Sequence, residues 1–522
     1  MPGGGLLSLV SFGAQNVLFS GNPEMTYFYK AFRRYSHFSL ESTTLACDGP
    51  DELFFDKPIT IRCKIQRVAD LLCDMYFTFD LPAIYSKYVP DRDSQHYFMW
   101  SRYVGAHIID RISFIVGGQK IQEFDGTYIV AKALTDLSKD KLDKWRRLVG
   151  DTAELTNPGL GAYGGGTAMV GTASGDIAGY PIVFENPTLA NGSQTNRPSI
   201  PATTIQVPIP FWFCEEISNA FPLIAMQYTE AEVQITLRPL QDLYTIFDEY
   251  GNKVRPNFHV NPFEAGQNPN NPYYGENGNS NPEFRTFLVD VGDTPPPLNT
   301  LAIYPRIQAT YAYLTKQEQE VFASTPLNYL LTQSTRYEYP GLYNRQLIDL
   351  ETHNMLPRLF IVPRRSDTIQ YKNDYFNFTN WWNYPAAPYT PTPGLTSGYF
   401  SSGVAVPQGQ LQIIRTLRLL GDGNELQEEK PYEYYTDVTP YKYASGVGGA
   451  VQGLGLYAFS LHSPNAQPAG SINTSKIRLF QIEIDPYPLP VDTNYVYNIS
   501  IYVESYNFFI ASGGTGGLKY AL

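Results

Sequence analysis

The sequence predicts an all-β protein of two consecutive antiparallel jelly rolls, each of about eight strands in two sheets, with a short N-terminal helix and long loops. Three observations predict it. Aromatic residues make up 14% of the 522 residues, with Tyr 40 and Phe 30, and only 17% are charged; this favours strands over helices. Gly 42 and Pro 40 suit many strands joined by turns and loops. Short runs of period-two alternation recur in two blocks of similar size, separated by a polar stretch. The expected organisation is an arm and helix at 1–36, a first jelly roll at 37–247, and a linker or surface insertion at 248–298. A second jelly roll follows at 299–512 and a tail at 513–522.

The elements follow in order. Residues 1–21 are a Gly-rich apolar arm. In "SGNPEMTYFYKAFRRY", Asn22 can cap a helix and Pro23 can occupy its first turn. Met25, Phe28, Phe32 and Tyr35 then make an apolar stripe at helical spacing, with Lys30, Arg33 and Arg34 largely off it. Two expectations stand: a surface helix packed on its own domain, or a foot whose Phe28 and Phe32 pack under the first jelly roll while Lys30, Arg33 and Arg34 face something beneath. In "TIRCKIQRV", Ile61, Cys63 and Ile65 alternate with Arg62, Lys64 and Gln66, as in a half-buried strand. "LLCDMYFTFDLP" is a strand stopped by Pro82, and "HIIDRISFIVGGQKI" is a hairpin turning at Gly117-Gly118. "YIVAKALTDLSKDKLDKWRRLVGD" has apolar residues every three or four positions and is a helical interruption ended by Gly150.

Residues 151–200 form a loop rich in Gly, Ser, Thr and Pro. Strands resume at "IQVPIPFWF" and "AEVQITLRPL". Asn, Pro and Gly dominate 248–298, which cannot bury enough apolar surface to pack as a core. The second block runs from "LAIYPRIQATYAYL" to "VYNISIYVESYNFFIASG". Near their ends the blocks echo one another. "VPIPFWFCEEISNAFPLIAMQYTEAEVQITL" and "GLYAFSLHSPNAQPAGSINTSKIRLFQIEI" both read strand, Pro-containing loop, strand.

Several stretches imitate reactive sites. "GLGAYG", Gly159 to Gly164, lies in a loop after a helix, whereas a dinucleotide site needs a strand before it and a helix after. There is no G-x-x-x-x-G-K-[ST] sequence. His37, His96, His107, His259, His353 and His462 show no metal-binding spacing. "GDGNE", with Asp422 and Glu425, reads as a tight turn. Trp381-Trp382 reads as an intersubunit or capping contact rather than a sugar platform.

Four cysteines without a CxxC pair argue against zinc and against a disulfide framework, so reduced core thiols are expected. A net charge of −12 disfavours a dedicated nucleic-acid surface. No apolar run approaches the 18 or so residues that span a bilayer. With no basic n-region at the start, a soluble, cytosolically made chain is expected.

The chain resembles the double-jelly-roll major capsid proteins of nucleocytoplasmic large DNA viruses. The resemblance rests on six stretches in order: "GGLLSLVSFGAQNVLFSGNPEMTYFYKAFRRYSHFS", "CKIQRVADLLCDMYFTFDLP", "VGAHIIDRISFIVGGQKI", "VPIPFWFCEEISNAFPLIAMQY", "GLYAFSLHSPNAQPAGSINTSKIRLFQIEI" and "ASGGTGGLKYAL". Departures fall at 151–200, at 248–298 and around "NFTNWWNYPAAPYTPTPG".

What the resemblance implies is a structural subunit with no enzymatic role and no cofactor. It forms a homotrimer, as a pseudo-hexagonal capsomer tiling an icosahedral shell. Its partners are neighbouring capsomers, minor capsid proteins and an inner viral membrane, without direct nucleic-acid contact. It resides in the virion and is made in the host cytoplasm. The arm, with Phe28, Lys30, Phe32, Arg33 and Arg34, lies at the base, and the loops at 151–200, 248–298 and 375–408 form the outer surface or a trimer clasp. Sequons at Asn191, Asn377, Asn473 and Asn498 would escape the secretory glycosylation machinery. Two rivals are a carbohydrate-binding or carbohydrate-active jelly roll and a transient double-jelly-roll assembly scaffold.

Overall fold

The computed structural model describes residues 3–30, 32–85, 97–156, 200–247, 253–254, 283–289, 293–380, 411–444, 446, 453–462, 467–489 and 495–520. Its principal strands fall into two sets of eight. The first set is β1 (Phe38–Ala46), β2 (Ile59–Lys64), β3 (Leu71–Leu81), β4 (Ile109–Val116), β5 (Gln119–Phe124), β6 (Thr203–Pro208), β7 (Ala231–Leu237) and β8 (Arg306–Leu314). The second is β9 (Leu327–Leu342), β10 (Gln346–Asp349), β11 (Arg358–Arg365), β12 (Ile414–Gly421), β13 (Asn424–Pro431), β14 (Gly455–Ala458), β15 (Phe480–Pro486) and β16 (Tyr497–Ser512). A last strand, β17 (Thr515–Leu518), folds back on β16.

The first set makes two antiparallel sheets, in the orders β1-β8-β3-β6 and β2-β7-β4-β5. The second repeats the pattern as β9-β16-β11-β14 and β10-β15-β12-β13. Adding eight to each strand number converts one lobe into the other. Both are jelly rolls, and the chain is a double jelly roll. The sequence echo falls on equivalent places, the connections from β6 to β7 and from β14 to β15.

Local chemistry explains the elements. β2 buries Ile61 and Cys63 and exposes Arg62 and Lys64, matching the alternation. Two-residue hairpins need left-handed backbone at both loop positions. Gly117 and Gly118 supply φ 57° and 80° between β4 and β5, and Asp422 and Gly423 supply φ 50° and 79° between β12 and β13. The helical interruption is split into α3 (Gly126–Asp136) and α4 (Lys139–Leu148), which follow α1 (Gly4–Val10) and α2 (Ala14–Ser20) of the arm. Asp125 caps α3 by accepting from the Tyr128 N–H at 2.7 Å. Gly150, at φ 80°, follows α4.

Three expectations fail. The strand Arg306–Leu314 pairs with β1 and β3, placing Ile307 opposite Phe77. The first lobe therefore closes after the Asn- and Pro-rich stretch, not before it, and the second begins beyond residue 299. Alternation announces a strand but does not say which sheet it joins. Next, Cys47 and Cys63 form a disulfide, with Cα atoms 4.3 Å apart, whereas reduced thiols were expected. The fold brings them together because Asp48 bridges to Arg62 of β2, with backbone hydrogen bonds of 2.7 and 2.9 Å. Cys73 and Cys214 are free.

The third failure is the helix at 20–35. The arm is helical earlier, in α1 and α2, and residues 22–30 and 32–35 are neither helix nor strand. Tyr27, Phe28 and Tyr29 favour extended backbone, and an isolated helix of this length is marginal without a surface to bury its stripe. Among the described residues none supplies such a surface. Phe28 is 99% and Phe32 85% exposed, so the stripe does not pack under the first jelly roll.

The core is continuous across the lobes. One cluster joins first-lobe residues such as Phe77, Phe114 and Trp212 with Tyr329, Phe360, Tyr502 and Phe509 of the second. A second cluster, including Ile348, Leu417, Ile482 and Ile501, fills the second jelly roll. The helix α5 (Lys316–Ser324) connects the lobes. Its Phe322 packs on Leu71, Cys73 and Ala312, on the outer face of the β1-β8-β3-β6 sheet.

Candidate assembly surfaces

Two features outside the ordinary jelly-roll framework stand out: a charged junction between the lobes and an uncovered arm. The junction is built on α3, which leaves the first lobe and meets β9, β11 and β16. Arg358 of β11 is almost wholly buried, and its guanidinium grips two carboxylates. Nη1 and Nη2 donate to Asp136 of α3 at 2.6 and 2.8 Å, and Nε and Nη2 donate to Glu504 of β16 at 2.6 and 3.0 Å. Glu504 also accepts from the Tyr128 hydroxyl at 2.7 Å.

A second cluster lies beside it. Asp125 accepts from Arg336 at 2.8 Å and from the Tyr502 hydroxyl at 2.6 Å, while Arg364 donates to the Thr127 hydroxyl at 2.9 Å. Lys132 and Glu215 pair at 2.5 Å. Burial alone would lower the basicity of Arg358, but Asp136 and Glu504 outweigh it and hold the guanidinium charged. Burial, then the Glu504 charge, pushes the Tyr128 hydroxyl well above its usual range. Such directional, fully desolvated pairs fix geometry more surely than they add stability.

Side-chain amides bonded to backbone carbonyls extend the junction. Gln122 of β5 donates to the Thr332 carbonyl at 2.6 Å, and Gln333 of β9 donates to the Ile121 carbonyl at 2.8 Å. At the far end of β16, Phe509 lies 5.5 Å from Trp212 and 5.6 Å from Phe221, ring to ring. The final hairpin adds a strap: Tyr228 N–H donates to the Gly514 carbonyl at 2.9 Å.

The arm is the opposite case. Of the described residues from 3 to 42, none is buried. Leu9 is 78% and Phe19 93% exposed. Phe28, Lys30, Phe32, Arg33 and Arg34 all lie on this segment and are exposed. Among the described residues no ion pair holds Lys30, Arg33 or Arg34. Contiguous exposed apolar surface on this scale marks an interaction site.

Of the sequons, Asn191 lies outside the described residues. Asn377 is buried, its amide oxygen accepting from the Thr379 N–H at 3.1 Å and hydroxyl at 2.7 Å. Asn473 is exposed, and Asn498 on β16 is half-buried and accepts from the Gly341 N–H at 3.2 Å. "GLGAYG", Trp381, Trp382, His96 and His259 also lie outside the described residues. His107 is buried against Tyr375, with ring centroids 4.3 Å apart. Among the described residues no group of three or more His, Cys, Asp or Glu could hold a metal ion. Sequence reasoning missed the junction entirely, because Asp136, Arg358 and Glu504 are hundreds of positions apart and carry no local pattern.

Two jelly rolls sharing one core, with an apolar arm left uncovered, define a protein of the double-jelly-roll class. Residues 26–276 match the major capsid protein N-terminus, and residues 318–517 match the large eukaryotic DNA virus major capsid protein. The chain belongs to this family of viral major capsid proteins. It is 24% identical over 569 residues to a major capsid protein of Phaeocystis pouchetii virus, covering 99% of each chain. Among solved structures, PBCV-1 VP54, fitted into a reconstruction of the virophage Sputnik, matches with a TM-score of 0.64 at 19% identity. That match covers 95% of this chain and all of VP54. The Faustovirus major capsid protein matches with a TM-score of 0.62 at 13% identity, covering 97% and 96% of the two chains.

Proposed function

We propose that this capsid protein works as a trimer, a pseudo-hexagonal tile of an icosahedral virion shell. The observation that carries the reading is the eight-strand offset. One chain presents two lobes of identical strand order, so three chains under a threefold axis present six similar lobes, a nearly hexagonal outline. Closed cyclic symmetry is the usual rule for homo-oligomers. The continuous core and the Arg358 junction support it further, because a tile needs its two lobes at one fixed angle.

In this reading the protein is structural and not catalytic. The arm lies at the base of the tile, where Phe28, Lys30, Phe32, Arg33 and Arg34 reach neighbouring subunits, minor capsid proteins or an anionic inner membrane. The loops at 151–200, 248–298 and 375–408 serve the outer surface or the trimer clasp. Synthesis takes place in the host cytoplasm. Sedimentation of the purified protein tests the tile: the expected particle has about three times the 58.7 kDa chain mass. A lasting monomer would sink it. Protein staining of purified virions separates a shell subunit, which dominates by mass, from a scaffold that is shed.

A further inference from the structure

β1 is an edge strand with an unprotected edge. It pairs with β8 alone, over the full register from Phe38 opposite Leu314 to Ala46 opposite Arg306. Its other edge is free among the described residues. Proteins blunt such edges with charge, proline or brevity. The edge strand β13 of the second lobe is blunted in this way, with Glu425, Glu428, Glu429, Lys430 and Pro431 in eight residues. β1 has nine residues, a single charge at Glu41 and no proline. Phe38 is 47% and Leu40 52% exposed on it. The bare edge is a place prepared for another strand.

The arm supplies a strand without a sheet. Met25-Thr26-Tyr27-Phe28-Tyr29-Lys30 is rich in strand-favouring residues and is unpaired and uncovered. Six residues is an ordinary strand length. Seven residues, 31–37, separate this segment from β1, and within one copy the segment pairs with no strand among the described residues. The strand and the free edge are complementary and are left unpaired within one copy. Charge agrees. The arm carries Lys30, Arg33 and Arg34, whereas Glu41 lies on the edge and α5, packed over the same sheet, carries Glu318 and Glu320 against the single Lys316. One carboxylate oxygen of Glu318 is buried without a hydrogen-bond partner.

We infer that the arm of one copy adds as a strand, around Met25–Lys30, along the free edge of β1 in a second copy. Each copy offers one strand and takes one, a head-to-tail exchange that closes a ring. Main-chain hydrogen bonds hold the strand, and the exposed Phe38 and Leu40 receive its aromatic side chains. This rests on the shell-subunit reading and names the arm's partner within it.

Two differently tagged full-length chains, co-expressed, test the exchange. One carries Tyr27→Cys, Phe28→Cys or Tyr29→Cys in turn, and the other carries Leu40→Cys. Mild oxidation should give a reducible heterodimer for at least one pairing, found within the sedimenting oligomer. In a parallel test, trypsin should cut slowly after Lys30, Arg33 and Arg34 in the assembled protein. Leu40→Lys, on a half-exposed position the fold tolerates, should restore fast cutting. An oligomer with no cross-link in any pairing, or an arm cut equally fast in wild type and Leu40→Lys, overturns the exchange and leaves the tile intact. A protein that stays monomeric overturns both.

Discussion

Arg358 and Asp136 meet across the boundary between the two jelly rolls, as a two-pronged ion pair with contacts of 2.6 and 2.8 Å. One residue belongs to β11 of the second lobe, the other to the end of α3 in the first. Glu504 completes the grip from β16.

Removing the guanidinium should be costly because it strands two carboxylates. Arg358→Ala is expected to destabilise the protein by about 3–5 kcal/mol, the usual consequence of breaking a buried pair. Arg358→Lys should not rescue it, since an ammonium cannot make both two-pronged contacts. Thermal unfolding followed by circular dichroism checks the order: wild type above Lys, and Lys at or near Ala.

The core that crosses the boundary predicts a second loss. Phe509 is fully buried against Trp212 and Phe221 of the other lobe. Phe509→Ala should lower stability by about 3–5 kcal/mol. Both lobes should unfold at the lower temperature together, seen as one calorimetric transition; a first lobe that kept its original transition would argue against a shared core.

The disulfide closes a short loop, between positions 16 apart. Chain-entropy reasoning assigns such a loop about 3 kcal/mol. Thiol reductant should lower the melting temperature of the wild type and leave the Cys47→Ala/Cys63→Ala protein unmoved. Mass spectrometry of the unreduced protein should show two free thiols, at Cys73 and Cys214.

Burial pushes the hydroxyls of Tyr311 and Tyr329 up to about 12. In the unfolded chain each titrates near its ordinary value of 10. The folded state thus holds these protons more tightly, and the stability this confers is intact below pH 10. It should be lost as pH rises from 10 towards 12. Absorbance of ionised tyrosine should rise in step with unfolding, and Tyr329→Phe should shift the alkaline transition upward.

His107 acts at the other end of the scale. Burial, then the Arg238 charge, pushes its imidazole well below 6.5. Its contribution is present above the unfolded value and is lost as pH falls below it. His107→Gln should flatten the acid side of the stability profile, measured by urea unfolding at a series of pH values.

Much of this protein was legible in the chain itself. Ile61 and Cys63 against Arg62 and Lys64 marked a strand, since a half-buried strand alternates by geometry. Gly117-Gly118 and Asp422-Gly423 marked hairpins, since left-handed backbone admits few residues. The echo between "VPIPFWF" and "GLYAFSL" fell on equivalent connections of two jelly rolls. Signals of this kind are local, and the neighbouring residues suffice to read them.

What tertiary structure alone decided depends on residues far apart in sequence. Arg306–Leu314 reads as a strand, but only its pairing with β1 and β3 assigns it to the first lobe. Cys47 and Cys63 look like scattered thiols until the bridge from Asp48 to Arg62 brings them together. Phe28 and Phe32 keep helical spacing, yet a stripe folds into a helix only against a surface, and none of the described residues covers them. Arg358 needs Asp136 and Glu504, which no spacing foretells. Periodicity is a property of a segment; contact between segments is settled by the closed fold.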